Sequence, residues 1–287
     1  MSELDENFIL SAQKGDIGTV EGLLEQGADI HTSDDKAFMS AFERGNEKML
    51  RLLFDHERSS GQIEQWNFDR SIYWFNRISG MNTPDHLPQK DGKRNGTEFD
   101  ANLYFLVLPH LSMKEGFRLD YAYLYFYESG EPALFARPVD SENYWSSDDW
   151  SDWVENNHYL DYIVADGSPE SYLELVLLST MGSHFYLFWH AQYMDTRLIT
   201  DTYVADHIKD ILNEYCLKQN IKNKKEQLEI IEPTVELKEN SSVVTYCTFS
   251  EWTGIVRHRK SYKRSFPHKL LDEEETTIVQ YDSGIDI

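Results

Sequence analysis

The chain has 287 residues and a mass of 33.7 kDa, enough for one large domain or two of ordinary size. Hydrophobic residues make up 40% and aromatic residues 14%, so a packed core is expected and disorder of the whole chain is excluded. Fifty Asp and Glu residues against 27 Lys and Arg residues give a net charge of −23. Such a charge repels phosphate backbones and anionic membranes, and it favours a basic protein as partner.

The cysteine content and the N-terminus indicate the cytoplasm. Cys216 and Cys247 are too few for a disulfide framework or a four-thiolate zinc site. The acidic N-terminus lacks the basic start and apolar stretch of a signal peptide, and no window approaches about 18 uninterrupted apolar residues. We therefore expect a cytoplasmic protein without a membrane-spanning helix.

Two segments near the N-terminus are similar at a spacing of 30 residues, with Gly15 aligned on Gly45. The other aligned pairs are Phe8 with Phe38, Val20 with Leu50, Leu23 with Leu53, and Leu24 with Phe54. Each glycine lies between two short helical patterns, where a tight turn needs positive φ. Gly27 ends the second helical pattern and starts an exposed loop.

These segments, and above all the Gly-Ala-Asp-Ile-His stretch at 27–31, resemble a shortened ankyrin repeat over about residues 5–58. The family's Thr-Pro-Leu-His signature is replaced here by the residues at 36–39. The resemblance implies antiparallel helix pairs and a role in protein recognition. Two repeats bury too little apolar surface alone, so we expect a capping helix within 63–78 that docks them onto a second domain.

The rest of the chain is predicted to be a linker followed by a larger domain. Residues 79–100 are rich in Gly, Pro and Asn, which is typical of a loop. Apolar and aromatic runs then predict strands at 103–108, 121–127, 133–137, 159–165, 184–190, 243–249, 251–256 and 277–281. Ser168 followed by Pro169 predicts a helix over 169–181, and Asp201 can cap another that continues to Tyr215.

The predicted fold class is therefore α+β. Ankyrin-like repeats with a capping helix would occupy residues 1–78, and the linker residues 79–100. Residues 101–287 would form an acidic α+β domain with a mainly antiparallel sheet.

The charge is strongly segregated along this second domain. Residues 138–196 carry eleven acids and no Lys or Arg, and tryptophans alternate with the acids in their densest part. We interpret this part as a contact surface for a basic protein, because aromatic anchors supply contact energy and carboxylates match a cationic partner. The predicted contact residues are Tyr144, Trp145, Asp148, Asp149, Trp150, Asp152, Trp153, Glu155 and Asp161. The alternatives are a solvated face with inward-packed tryptophans, or carboxylates that bind a cation or act as an acid/base pair.

A basic run at 257–264 is the counterpart of this acidic segment. Residues 252–271 hold six Lys and Arg residues and no acid, and an acidic run at 272–275, interpreted as solvated, follows them. We expect the basic run to lie near carboxylates of the same fold, since unpaired charge is unfavourable. A contact with an anion, with nucleic acid or with a protein partner is the alternative.

The common catalytic signatures for phosphate, dinucleotide, zinc-hydrolase and serine-hydrolase chemistry are absent. We expect no catalytic residue, metal or cofactor. The predicted function is a cytosolic immunity or inhibitor protein that neutralises a basic toxin or nuclease. A general ankyrin-type adaptor fits the same features. The rival is an enzyme of unrecognised fold that uses Asp161, His184, His190 and Asp195, where the two histidines on one strand face are either metal ligands or structural.

Overall fold

The computed structural model of the chain describes residues 1–60, 67–80, 82–89, 93–127, 129–141, 158–203 and 231–280. The chain divides into two compact units. The first contains Met1–Asn67 and Leu103–Val107, and the second contains Phe68–Asn102 and Leu108–Ile287. The domain boundaries predicted from the sequence, with a capping helix joined to the repeats, remain a prediction.

The first unit is helical. Its helices are α1 (Glu3–Lys14), α2 (Ile17–Glu25), α3 (Thr32–Glu43), α4 (Glu47–Ser60) and the short α6 (Tyr104–Val107). Helix α1 packs against α2 and α3, and α3 packs against α4. Leu24, Leu53 and Phe54 are buried between these helices as predicted, whereas Leu23 is half-buried.

The turns inside the two helix pairs have the same construction. The Gly15 N–H donates to the Ala12 carbonyl at 3.0 Å, and the Gly45 N–H donates to the Phe42 carbonyl at the same distance. Both glycines adopt the predicted positive φ, 76° and 59°. A residue with a Cβ would be strained in this region, which explains why glycine ends both helices.

The residue after each of these glycines caps the following helix. Asp16 Oδ1 accepts the Thr19 N–H at 3.1 Å, and Asn46 Oδ1 accepts the Met49 N–H at 3.1 Å. Such caps satisfy N–H groups that have no partner inside the helix. The similarity at 30 residues therefore extends from apolar side chains to the turn and cap hydrogen bonds.

An ion-pair cluster holds the start of α3 to α4. His31 Nδ1 lies 2.7 Å from Asp35 Oδ1, and His31 Nε2 lies 3.2 Å from Glu57 Oε1. The Glu57 side chain is almost fully buried, and the His31 ring stacks on Phe38. The hydrogen bonds to Asp35 and then Glu57 raise the pKa of His31 from 6.5 to about 9, although burial opposes them.

This cluster predicts a loss of stability at alkaline pH. The folded-state pKa of His31 is raised, so its contribution is complete below pH 6.5 and disappears as the pH rises through 9. We expect the wild type to lose about 2 kcal/mol more than His31→Gln over this range, after a discount for solvent screening. Urea titrations of both proteins at several pH values measure the difference. If the free energies of unfolding of the two proteins changed equally with pH, His31 would not be the group responsible.

The second unit combines helices with antiparallel strands. Its helices are α5 (Phe68–Ser79), α7 (Pro169–Met181) and the one-turn α8 (Asp201–Tyr203). Its strands are β1 (Leu111–Met113), β2 (Phe117–Phe126), β3 (Ser129–Pro138), β4 (Ile163–Ala165), β5 (Arg197–Ile199), β6 (Thr234–Leu237), β7 (Ser241–Ser250), β8 (Gly254–Lys263) and β9 (Leu270–Val279). None of the helices among the described residues is both long and apolar enough to cross a membrane.

Every strand pair among the described residues of this unit is antiparallel. Strands β1 and β4 form one pair, and β2 and β3 form a hairpin. A five-stranded sheet has the order β5-β7-β8-β9, with β6 also paired to β7. Helix α7 packs against β5, β6 and β7, and most of its residues are buried. The predicted α+β class with a mainly antiparallel sheet is confirmed.

The agreement is closest where a turn or cap signal marks an element. Helix α7 starts at Pro169 as predicted, with the Ser168 hydroxyl accepting the Ser171 N–H at 3.1 Å. The strands predicted at 121–127, 133–137 and 243–249 all form, each extended by several residues. The helix predicted after Asp201 lies mostly outside the described residues.

Several predicted strands are wrong in type or extent. Residues 104–107 are helical, because a short apolar run fits a buried helix as well as a strand. Residues 159–162 form a 3₁₀ turn before β4, and 251–253 form the turn that precedes β8. The acidic run 272–275 is exposed to solvent as expected, but it forms part of β9.

The loop after α5 is pinned by buried charges that the sequence analysis missed. Arg94 and Arg137 both donate to the carboxylate of Asp120 in β2, and all three side chains are at most 9% exposed. The Arg94 guanidinium also donates to the Tyr121 carbonyl at 2.6 Å and lies 3.8 Å from the centre of the Tyr121 ring. Glu98 accepts the N–H groups of Asn95 and Gly96. The loop at 79–100, which was predicted from its Gly, Pro and Asn content, is therefore anchored to the β2–β3 hairpin.

Candidate functional site

Most of the contact surface predicted from the sequence lies outside the described residues. This applies to Tyr144, Trp145, Asp148, Asp149, Trp150, Asp152, Trp153 and Glu155. Asp161 is described, and it is exposed in the 3₁₀ turn before β4, where its N–H donates to the His158 carbonyl at 3.0 Å. The surface at 144–162 therefore remains a prediction.

An exposed aromatic surface occupies a different part of the second unit. It consists of Trp189, His190, Tyr193 and Trp252. Their ring centres form a chain, 5.6 Å from Trp189 to His190, 5.9 Å from His190 to Tyr193 and 5.5 Å from Tyr193 to Trp252. Trp189 is 54% exposed and Tyr193 56% exposed, with the 41% exposed Met194 next to them.

The backbone that carries this surface is strained. Tyr186 and Trp189 both have a φ of 52°, in the left-handed region that bulky residues rarely adopt. Such a conformation costs on the order of 1–3 kcal/mol per residue and persists where surrounding contacts enforce it. The predicted strand at 184–190 is therefore wrong, since positive φ values interrupt the extended backbone.

Buried hydrogen bonds enforce this conformation. The Tyr186 hydroxyl accepts the Phe99 N–H at 2.9 Å, and the Tyr186 carbonyl accepts the Tyr123 hydroxyl at 3.0 Å. Phe188 and Gly130 exchange two backbone hydrogen bonds of 2.9 and 3.1 Å. A Cβ at Gly130 would approach the Tyr123 hydroxyl to 2.1 Å, so glycine is required at this crossing. These contacts fix the backbone immediately before Trp189, whose side chain is exposed.

Acidic residues border the aromatic surface. Asp195 Oδ2 accepts the Glu251 N–H at 2.7 Å, which ties the end of the segment to the turn that carries Trp252. Glu251 is exposed, and Arg197 is an exposed base close by.

Tyr127, at the tip of the β2–β3 hairpin, is 83% exposed and also has positive φ.

The two histidines of the rival enzyme hypothesis do not lie on one extended strand. His184 and His190 were expected on one strand face, but the chain between them leaves the extended conformation at Tyr186 and Trp189. Burial lowers the pKa of His184, and the charge of Arg197 lowers it further against the opposing effect of Asp195. His190 instead contributes its ring to the aromatic surface.

A second constellation, of His110, Asp166 and Ser168, contains the residue types of a catalytic triad. Its geometry differs, because Asp166 and Ser168 both approach the same ring nitrogen, His110 Nδ1, at 2.8 and 3.5 Å. The Ser168 hydroxyl donates to Asp166 and accepts the Ser171 N–H. A triad needs the serine and the carboxylate on opposite ring nitrogens. Ser168 is instead the N-cap of α7, and Asp166 accepts its hydroxyl.

The basic run at 257–264 lies on β8, directly opposite the acids of β9. Arg259 pairs with Glu274, and Lys260 pairs with Glu273, with closest N–O distances of 3.8 and 2.7 Å. His258 faces Glu275 at 3.0 Å. The expectation that the basic run lies near carboxylates of the same fold is confirmed.

No family model, curated protein or solved structure was found to match the chain.

Proposed function

We propose that the chain is a protein-binding protein without catalytic activity that neutralises a basic partner. In its most concrete form it is an immunity or inhibitor protein for a basic toxin such as a nuclease. The observation that carries this proposal is the aromatic surface, in which Trp189 and Tyr193 are held more than half exposed on a strained backbone. Large aromatic side chains are the residues that most often dominate binding energy at protein interfaces.

The strain supports a binding role more than a structural one. Burying Trp189 would gain apolar contact energy, yet hydrogen bonds on Tyr186 and Phe188 fix the segment so that the indole faces solvent. Rigid anchors of this kind bind with little loss of conformational entropy. An exposed but pre-positioned aromatic group is therefore well suited to fill a pocket on another protein.

The charge of the chain supports a basic partner. A net charge of −23 attracts a cationic protein over long distances and accelerates its encounter. Arg259 and Lys260 pair with Glu274 and Glu273, and residues 252–275 hold six Lys and Arg residues against four acids, so the acidic excess lies elsewhere in the chain. The eleven acids of residues 138–196 form a large share of that excess, and the aromatic surface includes part of this segment.

The N-terminal helices support a recognition role through the ankyrin-like resemblance. Their pairwise packing, the turns at Gly15 and Gly45, and the caps at Asp16 and Asn46 repeat at the spacing that the sequence predicted. An ankyrin-like region implies binding to protein by family resemblance. A general adaptor shares this feature, and it differs from an inhibitor in leaving the activity of its partner unchanged.

A comparative capture experiment tests the proposal. The tagged chain, Trp189→Ala/Tyr193→Ala and the control Tyr73→Ala are exposed to lysate of the native host, and retained proteins are quantified by mass spectrometry. Tyr73 is a 43% exposed aromatic residue on α5, outside the aromatic surface. We expect a basic protein to be retained by the wild type and the control, and reduced about tenfold or more by the double variant. Equal retention by all three, or retention of acidic proteins alone, would contradict the proposal.

A further inference from the structure

One face of the β8–β9 pair brings three metal-binding groups together. A ring nitrogen of His258 and carboxylate oxygens of Glu273 and Glu275 lie within 4.8 Å of one another. Glu273 and Glu275 are two residues apart on β9, so they share a face of the sheet, and Glu275 lies directly opposite His258. Within the described residues, this is the one such group of three or more His, Cys, Asp or Glu side chains.

The His258 ring is held in one orientation. Its Nε2 is hydrogen-bonded to the Thr248 hydroxyl at 2.8 Å, and the ring stacks on Tyr246 with the centres 4.9 Å apart. Thr248 and Tyr246 are both buried. These contacts direct Nδ1 toward the two carboxylates, 3.0 Å from the nearer oxygen of Glu275.

The Nδ1 atom is buried, and the Glu275 oxygen is its neighbour at 3.0 Å. When the ring carries its proton on Nε2, which then donates to the Thr248 hydroxyl, Nδ1 presents its lone pair to a cation held by the carboxylates. The hydroxyl on the other ring nitrogen is the kind of outer contact that orients histidine ligands in metal sites.

The local charge leaves room for a cation. Lys260 Nζ lies 2.7 Å from Glu273 Oε1, directly across the strand pair. One ammonium against the two carboxylates of Glu273 and Glu275 leaves a net negative charge when His258 is neutral. A divalent ion would compensate that charge, and it would displace the Lys260 ammonium from Glu273.

We propose that His258, Glu273 and Glu275 form a binding site for a divalent transition-metal ion, with Zn²⁺ as the best match. One imidazole nitrogen and two carboxylate oxygens are ligands that Zn²⁺ accepts, and they leave a fourth position for water or a partner side chain. The nitrogen ligand disfavours Ca²⁺ and Mg²⁺, which prefer oxygen alone. Thr248 is a positioning residue that acts through the His258 ring.

Calorimetric titration of ZnCl₂ into the full chain, freed of metal by a chelator, tests this site. We expect one Zn²⁺ per chain and an affinity that His258→Ala or Glu273→Gln lowers about tenfold or more. Lys260→Met keeps the aliphatic stem and removes the competing charge, so it is expected to tighten binding by about tenfold. Asp272→Asn is the matched control, because this acid is next to Glu273 on β9 but points to the opposite face of the strand.

Circular dichroism checks that each variant folds. If His258→Ala does not fold, Lys260→Met still tests the site, because it removes no proposed ligand. Binding that is stronger in Lys260→Met, weaker in Glu273→Gln and unchanged in Asp272→Asn would support the site. Absence of binding, equal effects of Glu273→Gln and Asp272→Asn, or unchanged affinity in Lys260→Met would overturn it.

Discussion

Asp120→Asn is expected to lower the free energy of unfolding by about 3–5 kcal/mol, one of the largest effects of any single polar substitution in this chain. Asp120 is 4% exposed and compensates the guanidinium groups of Arg94 and Arg137. Burial alone would raise the pKa of Asp120, but the charge of Arg94 and hydrogen bonds from both arginines hold it below its usual value. The neutral amide would remove the carboxylate that both buried guanidinium groups share, and would leave Arg94 with the more distant carboxylate of Glu98 at 3.9 Å.

A nearby pair provides the control for this prediction. Asp100 and Arg118 lie 3.1 Å apart with side chains 26% and 38% exposed, so water screens them. Asp100→Asn keeps an oxygen acceptor and is expected to cost less than about 1 kcal/mol. Urea unfolding of both variants at neutral pH gives the comparison. Equal losses for the two would show that the Asp120 network contributes no more than a surface ion pair.

The second large effect concerns binding of the basic partner. Trp189→Ala is expected to accelerate dissociation by a factor of about 30, which corresponds to about 2 kcal/mol for one aromatic anchor at an interface. The rate of association should change little, because Trp189 is uncharged. Surface binding kinetics with the captured partner measure both rates, and Tyr73→Ala is again the control. An unchanged dissociation rate would show that Trp189 is not part of the interface.

The acids of the predicted contact surface should affect the association rate. Replacing Asp148, Asp149 and Asp152 by Asn, and Glu155 by Gln, is expected to slow association most at low ionic strength. The melting temperature should be nearly unchanged, since exposed charges contribute little to stability. Equal association rates of the wild type and this variant at low and high salt would show that these acids only form a solvated face.

The parts of the fold that sequence reasoning predicted are those with local signals. Gly15 and Gly45 mark tight turns by the φ values that they permit, and Ser168 with Pro169 marks a helix start. Strand β7 was visible as a run of β-prone residues. Each of these signals lies within a few residues of the element that it specifies.

The parts that were missed depend on contacts between distant residues. The strained turn at Tyr186 is set by Phe99 and Tyr123, which lie more than 60 residues away. Arg94, Asp120 and Arg137 meet across a loop and a hairpin, and nothing in their sequence neighbourhoods indicates the pairing. The aromatic surface was missed for the same reason, since the run at 184–190 has the composition of a buried strand.

The central claim is that the chain neutralises a basic protein, and the most direct measurement is the activity of the captured partner in the presence of the purified chain. An equimolar amount of wild-type chain is expected to abolish that activity. Trp189→Ala/Tyr193→Ala should require a much higher concentration for the same inhibition, while Tyr73→Ala should inhibit like the wild type. Full activity of the partner at a saturating concentration of bound wild-type chain would contradict the claim and would identify the chain as an adaptor.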